Sequence, residues 1–89
     1  MQIKSLSDFR SVIRNGAYAW PGGYPVYFIT SDGAALSFEA AKKEKRLIID
    51  SIANSCNDGW RVIGSDINWE DIDLYCDHTG ERIESAYAD

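Results

Sequence analysis

The stretch VYFITSDGAALSFEAAKKEKRLIIDSIANSC, residues 26–56, changes its hydrophobic period partway along and so decides the fold. Residues 26–30 are β-branched and aromatic, Ser31-Asp32-Gly33 is turn chemistry, and residues 35–37 return as a short second strand, which together predict a hairpin. Beyond it the apolar residues recur at helical spacing. With Ser37 as the cap, Phe38, Ala41, Ile48, Ile49, Ile52 and Cys56 form the inward stripe of one long helix over residues 38 to about 56. Lys42, Lys43, Lys45 and Arg46 lie largely outside that stripe, and Leu47 sits off it as a candidate exposed contact.

Working outward, residues 7–15 predict a short N-terminal helix, with Ser5 or Ser7 as cap, Leu6, Phe9, Val12 and Ile13 at helical spacing, and Asn15-Gly16 as the stop. Residues 18–25, YAWPGGYP, mix rigid prolines, permissive glycines and three large aromatics, and read as a loop of fixed shape. Asn57-Asp58-Gly59 ends the long helix, and residues 60–69 resume as a strand with a bulge or bend at Gly64. Glu70-Asp71 then turns the chain. Ile72, Leu74 and Cys76 alternate with Asp71, Asp73, Tyr75 and Asp77, the pattern of a half-buried strand with an acidic outer face, and Thr79-Gly80 leads to a last strand over residues 82–85. The expected order is α-β-β-α-β-β. It defines an α+β fold, an antiparallel sheet of about four strands with one long helix packed on it and a short N-terminal helix, in a single domain over residues 1–89.

Composition bounds the function. At 89 residues the chain is near the lower end of what folds alone, so every apolar cluster is needed; 45% hydrophobic residues with three Trp, five Tyr and three Phe supply a core and exclude the disordered classes. The net charge of −5 hides a segregated molecule: residues 58–89 hold nine Asp/Glu against two Arg, a net −7, whereas residues 1–57 hold seven Lys/Arg against five Asp/Glu, a net +2. An acidic end repels phosphate and attracts basic surfaces, so direct nucleic-acid binding is not expected. Residues 1–7 carry no long apolar stretch, and runs such as residues 47–49 fall far short of the ~20 residues of a membrane span, so neither a secretory signal nor a span is expected. Cys56 and Cys76 then read as reduced thiols in a cytoplasm.

Two stretches, YAWPGGYPVYFITSDG (residues 18–33) and DGWRVIGSDINWEDIDLYCDHTG (residues 58–80), with the tail IESAY (residues 83–87), resemble a family of short, largely uncharacterised proteins encoded by bacteriophages and prophages. The resemblance spans nearly the whole chain. It implies a setting, the host cytoplasm, and brings no chemistry to particular residues. Small phage proteins of this size often act on host machinery, including as inhibitors of CRISPR or restriction defences, so the resemblance implies a protein-binding role by analogy.

Four groups of residues are candidates. Asp71, Asp73 and Asp77 on one strand face, with Glu70 beside them, would stand ~6.6–6.8 Å apart, about twice the ~3.4 Å rise per nucleotide of one DNA strand, and so approximate a row of phosphates. An ordinary solvated outer face accounts for the same pattern. Tyr18, Trp20 and Tyr24 on their proline-glycine frame are a candidate hot spot, with closure of the core by Trp20 and Tyr24 as the competing account. Cys76 and His78 share strand phase, giving two of zinc's four ligands or a Cys-His nucleophile pair, but lack further ligands at a recognised spacing, oxyanion donors or an orienting group. Lys42, Lys43, Lys45 and Arg46 interleave with Glu39, Glu44 and Asp50 as a salt-bridged solvent face, and can also receive the acidic strand of a second copy, giving a homodimer.

The expectation is therefore a non-catalytic binding protein without cofactor or metal. Its partner is a host protein with a basic surface, met by Glu70, Asp71, Asp73 and Asp77, with Tyr18, Trp20, Tyr24 or Leu47 as apolar anchors. The alternatives are a small metal protein or hydrolase built on Cys76 and His78, and a self-associating accessory protein.

Overall fold

A computed structural model of the chain describes residues 2–19, 23–54 and 59–86. The elements run α1 (Leu6–Asn15), β1 (Tyr18–Ala19), β2 (Tyr24–Thr30), β3 (Ala35–Ser37), α2 (Phe38–Lys43), α3 (Lys45–Ala53) and β4 (Val62–Ile67). All strand pairings are antiparallel, and all run through β2. On one edge of β2 lies β4, with Val26 opposite Ile67 and Phe28 opposite Ser65. The other edge is shared by β3, with Leu36 opposite Phe28, and by β1, with Ala19 opposite Tyr24.

Alternate residues of a strand send their backbone groups to alternate edges, and the hydrogen bonds of β2 follow that rule. The Val26 and Thr30 N–H groups donate to the Ala17 and Ala34 carbonyls at 3.0 and 2.9 Å on one edge. The Pro25 carbonyl accepts from the Asn68 N–H at 3.2 Å, and the Ser31 N–H donates to the Arg61 carbonyl at 2.8 Å, on the other. The protein is thus an α+β fold with a sheet three strands wide.

The hairpin of residues 26–37 forms as its sequence predicts. Thr30 is fully buried, its hydroxyl pairs with the Asp32 carboxylate and accepts from the Ala34 N–H at 3.2 Å, and Gly33 takes the positive φ of 83° that the turn requires. The N-terminal helix also forms, with the Ser5 hydroxyl accepting from the Asp8 N–H at 3.3 Å. β4 carries a bulge, one residue before the expected Gly64: the register slips between Ile29 and Thr30, which pair with Gly64 and Val62 and leave Ile63 as the extra residue. Asp66 turns its carboxylate back onto the Ile67 N–H at 2.8 Å, using up a donor of the strand.

The one long helix of residues 38–56 is not what forms. It breaks at Glu44, whose φ of −103° and ψ of 25° leave the helical region. Lys42, Lys43, Lys45 and Arg46 crowd this turn, and like charges three and four residues apart oppose a continuous helix. The break also lets two short helices serve two surfaces: α2 packs on β2 and β3, and α3 on α1. Cys56, the last expected member of the stripe, lies outside the described residues.

The second half departs further. The half-buried strand expected over residues 71–77 gives way to turns at residues 72–73 and 77–79, and its expected partner over residues 82–85 to irregular backbone; the two segments meet in an isolated bridge between Tyr75 and Arg82. Asp and Asn side chains bond nearby backbone groups and so compete with a strand ladder. Here the Asp71 carboxylate accepts from the Asp73 N–H at 2.9 Å, closing a turn where extension was expected. Ile72, expected inward, is 52% exposed, while Leu74 is half-buried and Cys76 buried.

The buried residues form one cluster centred on Phe28, which has no exposed surface. Its ring lies 5.4 Å from that of Phe9 on α1 and 6.0 Å from that of Phe38 on α2. Ile48, Leu36 and Val62 fill around it, and Cys76 and Ile83 close it from the C-terminal segment. That segment is tied down at its neck: the Ile83 N–H donates to the Leu74 carbonyl and the Asp77 N–H to the Ala35 carbonyl, both at 2.8 Å. The outer edge of β3 is thereby occupied by the chain itself.

Candidate functional site

The acidic third is organised by one buried amide, Asn68, 3% exposed. It directly follows β4. Its side-chain carbonyl accepts from the Asp71 N–H at 3.1 Å, and its Nδ2 lies 3.0, 3.2 and 3.2 Å from the carbonyls of Asp71, Ile83 and Glu84. Its own carbonyl accepts from the Ala86 N–H at 2.8 Å. A primary amide presents two donors and an acceptor at fixed angles, which is why a single Asn can clip a turn to a separate segment. Sequence reading passed over Asn68, although an Asn three residues before an Asp in an acid-rich turn is the side-chain-to-backbone signal that marks it.

On the turn that Asn68 folds, Glu70, Asp71 and Asp73 are all exposed. Apolar groups stand among them: Trp69 is 43% exposed, Ile72 52% and Tyr75 53%. The Trp69 ring packs against Tyr24 at 4.7 Å with the planes tilted by 54°, so the start of β2 holds the base of the turn. Asp66 on β4 and Asp71 both act on the hydroxyl of Tyr27: burial first, then the charges of Asp66 and Asp71, hold that phenol above its ordinary pKa. The fold therefore joins Tyr24 to Glu70, Asp71 and Asp73, and adds Trp69, Ile72 and Asp66, which sequence reading had not placed in the site. Their signal was apolar residues interleaved with carboxylates, which resembled strand alternation.

Asp77 does not belong to this group. Its backbone N–H is bonded to the Ala35 carbonyl on β3, and with turns at residues 72–73 and 77–79 the strand that would space Asp71, Asp73 and Asp77 evenly does not form. Leu47 is exposed as expected, at 44%, but on α3, whose packing partners are α1 and α2. Trp20 lies outside the described residues.

Tyr18 contributes at a second, adjoining place. Its hydroxyl donates to Glu84 Oε2 at 2.8 Å, and Tyr18 stands opposite Pro25 in the sheet. The hydrogen bond and the charge of Glu84, with smaller effects of burial and of Glu39, raise the Tyr18 pKa above its ordinary value. Replacing Glu84 by Gln is expected to bring the Tyr18 titration, followed by tyrosinate absorbance, down toward that ordinary value. Because the folded pKa is the higher one, this interaction's contribution to stability is whole below the ordinary tyrosine range and is lost as pH rises through the folded value.

Cys76 and His78 do not converge. Residues 76–81 form a tight loop, in which the Gly80 N–H donates to the Cys76 carbonyl and the Cys76 N–H to the Glu81 carbonyl, both at 2.8 Å. The loop turns Cys76 into the core, 1% exposed, and leaves His78 outside with its ring edge-on to Trp60 at 4.9 Å. Burial raises the thiol pKa, but backbone and hydroxyl hydrogen bonds from Ser37 and Thr79 outweigh it and hold the thiol below its ordinary value. The shared strand phase that would have aimed both groups one way is absent because the strand is absent. Among the described residues no three His, Cys, Asp or Glu side chains gather as metal ligands, and no helix is long and apolar enough to cross a membrane.

No protein-family model, curated protein or solved structure matches this chain. The site's own geometry therefore carries the functional reading.

Proposed function

We propose that this chain is a protein-binding module that docks on a basic protein surface through Tyr24, Trp69, Glu70, Asp71, Ile72 and Asp73. The observation that carries this reading is the exposure of Trp69 and Ile72 among carboxylates, on a turn held in place by a buried amide. Binding energy at interfaces concentrates in a few aromatic and apolar anchors, and surrounding charges set partner choice and association rate. A turn fixed before binding loses little entropy when the partner arrives. The carboxylates act through their field and not as a row at phosphate spacing, which a strand would have supplied.

The resemblance to short phage proteins directs the search for the partner to the bacterial host cytoplasm, and first to defence nucleases, CRISPR effectors among them, whose nucleic-acid channels are basic. In this reading the chain inhibits by occupation and performs no catalysis. Immobilised protein incubated with host lysate at low salt is expected to retain a basic protein, and to release it as salt is raised. Retention that does not respond to salt, or no retained protein together with unchanged phage survival, would contradict the reading.

A further inference from the structure

A groove of about 200 Å³ adjoins the proposed docking face, between β1, the start of α2 and the segment carrying Glu84. Its walls include Ala17, Val26 and Phe38, which are apolar, and Tyr18, Glu39 and Glu84, of which the Tyr18 hydroxyl and Glu84 are joined by a hydrogen bond. Pockets for drug-sized ligands run to ~300–1,000 Å³, so this one has room for a single side chain. Its position is set by the same amide that sets the face, since Asn68 bonds the carbonyls of both Asp71 and Glu84.

We infer that this groove is the site for one arginine side chain of the basic partner, a specification that rests on the docking reading above. An arginine has an apolar stem that covers hydrophobic surface and a planar guanidinium that stacks on aromatic rings and bonds carboxylates in pairs. The groove's lining offers a match to each feature: Val26 and Phe38 for the stem, the Tyr18 ring for the plane, Glu84 and Glu39 for the charge. The Tyr18 hydroxyl fixes Glu84 with a 2.8 Å hydrogen bond. The field of both carboxylates at that hydroxyl is evident in its raised pKa, to which Glu84 contributes most and Glu39 least. Glu81 and Arg82 also line the groove, so three carboxylates stand there against one guanidinium and the net charge stays negative.

The test is an amide NMR titration of the intact protein with N-acetylarginine amide, and in parallel with the acetylated amides of lysine and of citrulline, the neutral isostere of arginine. Shifts are expected at Ala17, Tyr18, Glu39 and Glu84 with arginine, weaker ones with lysine and none with citrulline. Glu84→Gln, which keeps the shape of the side chain, should weaken arginine binding about tenfold, the low end for a hydrogen bond to a charged group. Equal responses to arginine and citrulline, or no response at these residues, would overturn the inference. The two readings fail separately. If partner retention is lost in Trp69→Ala but unchanged in Glu84→Gln, the groove is not used and the docking face stands; arginine binding without any retained partner leaves the groove and removes the face.

Discussion

Asn68→Ala is expected to cost about 2–4 kcal/mol of stability and to release the acidic turn from the body of the protein. The substitution removes a buried side chain that reaches four backbone groups, on Asp71, Ile83 and Glu84. A buried carbonyl or N–H left without a partner costs about 1–3 kcal/mol, and partial hydration of the opened turn reduces the total below the simple sum. Denaturant unfolding measures the loss. Hydrogen exchange locates it: the Asp71 and Asp73 amides should exchange faster in the variant by more than the global stability change explains. Asn68→Asp is the informative companion, because it keeps the acceptor for Asp71 and places negative charge against the carbonyls of Ile83 and Glu84. It should be at least as destabilising as alanine at neutral pH and recover as the carboxyl is protonated.

Phe28→Ala should be more severe, at about 3–5 kcal/mol. Phe28 is fully buried on the central strand, where its ring meets Phe9 and Phe38, so truncation opens a cavity at the one place where α1, α2 and the sheet all meet. A chain of 89 residues has a small margin, and a loss of this size brings it close to unfolding at room temperature. Loss of the cooperative thermal transition is the expected result. The two variants are distinguishable: Phe28→Ala should weaken every protected amide together, whereas Asn68→Ala should act first on the C-terminal third.

The contrast between these two positions also explains which parts of the fold were legible in the sequence. The region around Phe28 was readable because its signals are local and agree: β-branched strand residues, an Asp-Gly turn, a Ser cap and then helical spacing. The helix break at Glu44 was hidden because the apolar stripe continues through it, and the like charges that favour the break lie on the other side. Residues 71–77 misled for a different reason. Ile72, Leu74 and Cys76 alternate with polar residues as a strand would, yet the backbone of Asp71 and Asp73 is bonded by side chains. Alternation describes a strand only where the backbone has no closer partner. Of the candidate site, the acidic character is legible in the sequence, and Tyr18 and Tyr24 stand out there as large aromatics on a proline-glycine frame. The pairing of Tyr24 with Trp69 and of Tyr18 with Glu84 depends on contacts between residues far apart in the chain, which no local pattern encodes.

The most direct test of the docking face compares three forms of the protein against the partner retained from host lysate. They are the unaltered chain, the face variant Trp69→Ala/Asp71→Asn/Asp73→Asn, and the helix variant Lys42→Gln/Lys43→Gln, each first confirmed as folded by near-ultraviolet circular dichroism. Loss of a central aromatic anchor with two flanking charges is expected to weaken equilibrium binding by at least about thirtyfold, or about 2 kcal/mol, while the helix variant binds as the unaltered chain does. A folded face variant that binds with undiminished affinity, or a loss confined to the helix variant, would contradict the account.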